Sequence, residues 1–237
     1  MTQLEIKFVA SELPDFVAQL EVQPDAVRPT EIAVDEESVR KPISPEDLRD
    51  IHSLIAQYPS GFALYGTASE FHLSHPDTGD CSLFALIGDD RTARCVFRGL
   101  GKLNLLYGYA CRPDEMAHRN RIVAQKKYGA HEAWVGRDFR KWLPGVYWIN
   151  VVPSELLERH GLRIEEFNSI AHSIELIENK NYLIELYASS DQWVSNSDKI
   201  DHWCEGHSGV FGRAQAKHDF DQAQNFLESS RVLERWR

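Results

Sequence analysis

Cysteine, methionine and long apolar runs are all scarce in this chain of 237 residues. The four cysteines, Cys81, Cys95, Cys111 and Cys204, form no CxxC pair and keep no regular spacing. A chain of this length can bury a core without disulfide staples, so they are read as reduced and mostly buried. No apolar run approaches the ~20 residues needed to span a bilayer. The opening Met1-Thr2-Gln3-Leu4-Glu5-Ile6-Lys7 lacks a basic segment followed by an apolar one. No signal peptide is therefore expected, and the cytoplasm is the expected location.

Catalytic signatures are missing too. Gly99-Leu100-Gly101-Lys102 has no full GxxxxGK[ST] frame, because no Ser or Thr follows Lys102. There is no GxSxG elbow and no HExxH, and Gly206 to Gly212 falls short of a dinucleotide fingerprint. Glu165-Glu166 reads as a solvated surface. No catalytic residue and no cofactor is assigned on these grounds.

What the chain does have is an uneven distribution of charge. Between Arg91 and Lys141 it places twelve Lys or Arg against four Asp or Glu, within a protein of net charge −10. The same block carries Tyr107, Tyr109, Tyr128, Trp134, Phe139 and Trp142. An acidic protein is repelled by nucleic acid and by anionic membranes, so neither is expected as a partner, and a basic protein partner is favoured. The block itself is expected to be clasped by acidic neighbours within the fold, with anion binding as the alternative.

The element pattern predicts an α+β fold, an antiparallel or mixed sheet covered by helices, in a single domain over 1–237. An N-terminal subdomain over 1–60 is the variant, with an extended acidic connection or a short edge strand from Val22 to Pro45. Leu4 to Val9 alternates as a half-buried strand, and a helix follows from Leu13 to Leu20. Ser44 caps a helix with Pro45 at its first position, ending near Tyr58-Pro59-Ser60-Gly61. Strands are expected at Phe62 to Leu73, Cys81 to Ile87, Cys95 to Phe97, Leu103 to Tyr109, Val146 to Val152 and Tyr182 to Ala188. Further helices are expected at Pro113 to Lys127, from Ser154 to a stop at Gly161, at Ile164 to Ile177 and at Asp219 to Arg235.

Three constellations could carry chemistry. His202-Trp203-Cys204-Glu205-Gly206-His207 holds three residues of zinc-ligating type, but no second ligand pair follows, and a turn with a buried Cys is preferred. His118 and Arg121, at i and i+3 of the expected helix, could join Arg119 and Arg137 around an anion, against the plainer reading of a solvated, ion-paired face. Trp193 sits in a polar, acidic stretch from Ala188 to Asp198. An aromatic residue in such a setting has the composition of a binding hot spot, with simple anchoring into the core as the other reading.

Trp134-Val135-Gly136-Arg137-Asp138, then Leu143-Pro144-Gly145-Val146-Tyr147-Trp148-Ile149-Asn150, then helices around Gly161 and the strand Tyr182 to Ala188, carry a resemblance. This stretch, Tyr107 to Phe211, is similar to bacterial immunity proteins of the type VI secretion and polymorphic-toxin kind, in particular the DUF3396-like group. The resemblance implies a cytoplasmic α+β protein, not an enzyme, that neutralises a cognate toxin in a protein–protein complex. A basic toxin such as a nuclease would suit the acidic surface. The expected contact residues are Asp191, Trp193, Asp198 and Asp201, with Trp134 and Arg137, and no metal ligand is expected. The alternative is an anion- or nucleotide-binding enzyme that uses the Arg91–Lys141 block. Oligomeric state is left open.

Overall fold

The computed structural model describes residues 1–34, 38–74, 79–127, 129–135, 141–143, 145–178, 180–207 and 210–236, with Ala124 described by its backbone alone. In chain order the elements are β1 (Thr2–Val9), α1 (Leu13–Glu21), β2 (Glu31–Ala33), β3 (Lys41–Pro42), α2 (Pro45–Arg49) and α3 (Ile51–Gln57). Then come β4 (Phe62–Gly66), β5 (Ser69–Ser74), β6 (Asp80–Ile87), α4 (Asp90–Leu100), β7 (Leu105–Cys111) and α5 (Pro113–Asn120). They are followed by β8 (Arg121–Lys126), β9 (Gly129–Trp134), β10 (Ile149–Pro153), α6 (Ser154–Arg159), β11 (Ser173–Ile177) and β12 (Asn181–Glu185). The chain closes with α7 (Trp193–Gly206), α8 (Arg213–Gln222) and α9 (Phe226–Trp236).

Ten strands form one antiparallel sheet in the order β11-β12-β10-β7-β1-β6-β5-β4-β2-β3, and β8 pairs with β9 in a separate hairpin. The fold is α+β. Within it, β1, α1, β5, β6, α4 and β7 follow a split β-α-β path, and β1 ends between β6 and β7. The first strand of the chain is thus paired with segments some 70 to 110 residues later, as in Val9 opposite Asp80 and Gln3 opposite Cys111. One end of the sheet is the two-residue strand β3, whose Lys41 and Pro42 both discourage further strand addition.

The alternation Leu4, Ile6, Phe8 against Glu5, Lys7 sets the two faces. The first three are fully buried against α1 and α4, where Phe8 stacks on Phe16 at 5.4 Å. Burying each such side chain contributes ~1.5–3 kcal/mol. Cys81, Leu83, Ala85 and Ile87 of β6 stand opposite Phe8, Ile6, Leu4 and Thr2 and line the same face. Glu5 and Lys7 point to the other side of the sheet.

Several expected elements differ. Cys95 to Phe97 is helical, in α4: Asp89 caps it by accepting from Thr92 N at 3.0 Å, and Ala93, Val96, Phe97 and Leu100 are buried at helical spacing. The helix expected to reach Lys127 stops at Asn120 and continues as β8, where Ile122 is buried and Val123 exposed. Ile164 to Ile177 divides into a 3₁₀ turn (Ile164–Ser169) and the strand β11. Phe62 to Leu73 is a hairpin, β4 with β5, rather than one strand. The Ser44-capped helix breaks at Asp50, whose carboxylate caps α3 through Ser53 N. The C-terminal helix is two, α8 and α9, which pack on the β8-β9 hairpin in a small second core of Ile122, Ala133, Val135, Ala216, Phe220 and Trp236.

Candidate partner-binding site

Part of the outer face of the sheet is covered by the segment that leads into β10. On β7 and β10, the loop before β10 lays Tyr147 flat on Tyr109, at 4.0 Å and 19° between planes. Helix α5 ties down this cover: Tyr147 Oη donates to Asn120 Oδ1, and Asn120 Nδ2 donates to Val135 O at 3.1 Å. Asn150, fully buried, holds the loop through Tyr147 N at 3.0 Å and Tyr147 O at 2.8 Å. Beside this cover, over β1, β6 and β5, lies a groove.

The groove has a volume of about 440 Å³, well within the range of ligand and peptide pockets. Its floor is the outer row of four neighbouring strands, with Tyr107 and Tyr109 opposite Lys7 and Glu5, and Ser82, Phe84, His72 and Ser74 beyond. Met116 and Asn120 of α5, with Trp134 and Val135 at the end of β9, form the wall. At the centre lies Glu5, half-buried, whose Oε2 accepts from Tyr109 Oη at 2.7 Å. Tyr107 Oη is spent on Gly145 O at 3.0 Å. Burial holds both phenols well above their ordinary pKa, so Tyr109 stays a donor to Glu5 across the physiological range. Chemically the groove offers aromatic surface with one oriented carboxylate, Glu5, and with Lys7 as the other charged group on the same face of β1, a setting in which Glu5 can meet an incoming cationic side chain.

Behind the wall, α5 presents a second, buried polar cluster. Glu115 is fully buried and Arg119 is 2 % exposed. Glu115 Oε1 accepts from Tyr187 Oη and, at 3.4 Å, from Arg119 Nε. Burial pushes the Glu115 carboxyl up to about 7, and the Arg119 guanidinium beside it only partly offsets this. Burial would lower the Arg119 pKa, but Glu115, Tyr187, Cys204 and Asp201 outweigh it and hold the group charged. The tighter ion pair of Arg119 is with Asp201 Oδ1 at 2.5 Å. His118 Nε2 meets the other Asp201 oxygen at 2.7 Å.

The expected contact residues therefore divide. Asp191, in the middle of the short 3₁₀ turn Ser190–Gln192, and Asp198 are exposed. Trp193 opens α7 instead of lying in a loop, and its ring is half-buried beside His118 at 5.4 Å. Asp201 is committed inward, to Arg119 and His118. Trp134 lines the groove, with its indole N–H on Glu132 at 2.9 Å. Arg137 lies outside the described residues.

Ion pairing, the preferred reading for His118, Arg119 and Arg121, is what the structure holds, and among the described residues the alternative anion cluster does not assemble. Arg121 is the first residue of β8 and pairs with exposed Glu132 at 2.7 Å. Other members of the basic block are also engaged internally: Arg94 with Glu185 at 2.9 Å, Arg98 with Glu175 at 2.7 Å. Lys126 donates to the Phe220, Asp221 and Ala223 carbonyls at the end of α8. His202 to Gly206 is helical, the last part of α7, and His207 at its C-cap uses its two nitrogens on Trp203 O and Glu166. Among the described residues, no three His, Cys, Asp or Glu side chains group closely enough to hold a metal ion. No described helix is long and apolar enough to cross a membrane.

Sequence reasoning had no place for Glu5, Lys7, His72 or Phe84 in a site. The signal was the strict alternation of β1, which puts Glu5 and Lys7 on one face, but which strands would lie beside them was not readable. Comparison of the chain with protein-family models, with curated proteins and with solved structures finds no match in any of the three.

Proposed function

We propose that this chain is a binding protein that neutralises a basic toxin domain in the bacterial cytoplasm, as immunity proteins of the type VI secretion and polymorphic-toxin kind do. The observation that carries the reading is the groove, an aromatic floor and wall around a carboxylate oriented by Tyr109. Tyr, Trp and Phe side chains contribute contact area at low entropic cost, and a pre-positioned carboxylate in such a setting favours Arg or Lys from a partner loop. The net charge of −10, with Asp191 and Asp198 exposed near the start of α7, supports steering of a positively charged partner.

The test is co-expression with the products of adjacent genes, followed by affinity purification and a toxicity rescue assay. The expected result is a stoichiometric complex with a basic neighbour whose toxicity is suppressed. Trp134→Ala and Glu5→Gln should each weaken that complex by at least roughly tenfold, the effect of losing ~1.4 kcal/mol of binding energy. Asp198→Asn should slow association at low salt and leave dissociation unchanged. A neighbour that neither binds nor is neutralised, or a complex untouched by Trp134→Ala and Glu5→Gln together, would overturn the assignment.

A further inference from the structure

A second, much smaller pocket opens on the far side of Arg119 from Glu115, between α7, the residues just before β10 and the start of α8. It is lined by Arg119, Gly145, Asp201, Cys204, Glu205, Phe211, Arg213 and Ala214, and its volume is about 30 Å³. By the usual allowance of ~10–15 Å³ of such volume per water, it holds about two water-sized groups.

Its polar inventory is unbalanced. Arg119 Nη2 is buried and has no hydrogen-bond partner among the described residues, although Nε and Nη1 of the same fork are occupied. Arg213 Nε is likewise buried and unpartnered. A buried donor left unmade costs ~1–3 kcal/mol, more for a charged group, so two such donors on residues that line one small space are an unmet demand for an acceptor. The same space receives the first turn of α8. That helix has Gly212 as its N-cap, no side-chain cap and no acidic residue in its first turn, so its positive dipole end is also uncompensated. Burial lowers the Arg213 pKa, with Arg119 adding to the effect, which is the cost of two like charges held close together. Asp201 and Glu205 are the two carboxylates that line the pocket, and Asp201 is already shared between Arg119 and His118. Glu205, at the rim, is exposed to solvent.

We infer that this pocket is a carboxylate-binding site, in which the two oxygens of one carboxylate take the free donors of Arg119 and Arg213 against the first turn of α8. The planar, two-oxygen carboxylate fits the two-water volume and the edge of a guanidinium fork, whereas a tetrahedral phosphate has two oxygens too many. The site is separate from the groove and does not depend on what the groove binds. The carboxylate could belong to a small free acid or to the C-terminus of a peptide, and the two sources share this chemistry.

Titration with acetate, followed by ¹H–¹⁵N NMR at constant ionic strength, tests it. Saturable shifts are expected at the Arg119 and Arg213 Nε–H signals and at the Arg213, Ala214 and Gln215 amides, with those of Arg121 unmoved. Arg213→Gln should raise the apparent Kd at least roughly tenfold, the equivalent of ~1.4 kcal/mol, and it replaces a half-exposed residue. The unchanged melting temperature of that variant would show that its fold is intact; if it melts lower, Arg213→Lys, which keeps the charge but loses the fork, provides the same comparison. A short peptide with a free C-terminus, run beside its amide, separates the sources: a peptide acid binding well above acetate points to a chain terminus, and equal affinity points to a free acid. Shifts that fail to saturate, that spread over the surface, or that persist unchanged in Arg213→Gln would overturn the site.

Discussion

Glu115 makes a prediction that can be worked through to a number. It is fully buried, shares Oε1 between Tyr187 Oη and Arg119 Nε, and has Oε2 without a partner among the described residues. The groups facing it come from four elements: Arg119 on its own helix, Cys111 on β7, Tyr187 after β12, and Asp201 and Cys204 on α7 beyond Arg119. Burial raises its carboxyl from 4.5 to about 7. Native protein then holds this proton more tightly than unfolded chain does. Between pH ~4.5 and ~7 the native state carries more protons, so stability falls as pH rises through that window and levels off above it. At about 1.4 kcal/mol per pH unit the whole loss is about 3 kcal/mol, roughly three-quarters of it between pH 5 and pH 8. The carboxylates Asp89, Glu132 and the half-buried Glu166, held below the usual range by hydrogen bonds from Thr92, Arg121 and Arg163, ionise below that interval and do not confuse it. The assay is urea unfolding of wild type and Glu115→Gln at pH 5, 6, 7 and 8. The glutamine cannot ionise, so its stability should fall by about 2 kcal/mol less across the interval, with other titrating groups cancelling in the difference. Parallel pH profiles for the two proteins would refute the argument and show Glu115 ionised throughout, fully matched by Arg119.

Two further perturbations test the second core and the hairpin. A Cβ at Gly212 would lie 2.5 Å from two ring carbons of Trp236, so Gly212→Ala should push α9 away and cost ~1–3 kcal/mol in thermal or urea unfolding. An unchanged midpoint would mean that Trp236 moves freely. Lys126→Met should remove the charge that satisfies three carbonyls at the end of α8 while keeping the aliphatic stem, at a cost of about 1 kcal/mol. The loss should register in unfolding midpoint and in faster amide exchange of the last turn of α8.

Short-range signals were legible where one interaction decides the outcome. The alternation of β1, the Ser44 cap with Pro45 behind it, and the helix stop at Gly161, whose φ is +67°, all follow from local chemistry. So does the α+β class. Misread segments were those with two satisfactory local answers. Cys95-Val96-Phe97 is β-prone in isolation, yet Asp89 caps the segment and its buried residues meet α1 and β1 only as a helix. Arg121 to Lys126 has helix-forming residues, yet β9 supplies a complete ladder for it, from Arg121 opposite Trp134 to Lys126 opposite Gly129. Local propensity differs by tenths of a kcal/mol per residue, and tertiary burial by several times that.

The lack of long apolar runs, the unpaired cysteines and the basic block in an acidic chain were fixed before any folding. That the block would be taken up internally was an expectation, and Arg94, Arg98, Arg119, Arg121 and Lys126 are each engaged within the fold. What only the tertiary structure decided is where the remaining chemistry lies. Glu5 faces Tyr109 because β7 returns beside β1 more than a hundred residues later, and Arg119 meets Arg213 because α7 and α8 fold back over α5. Neither proximity has a signature in spacing, because the loops that set them run across the whole length of the chain.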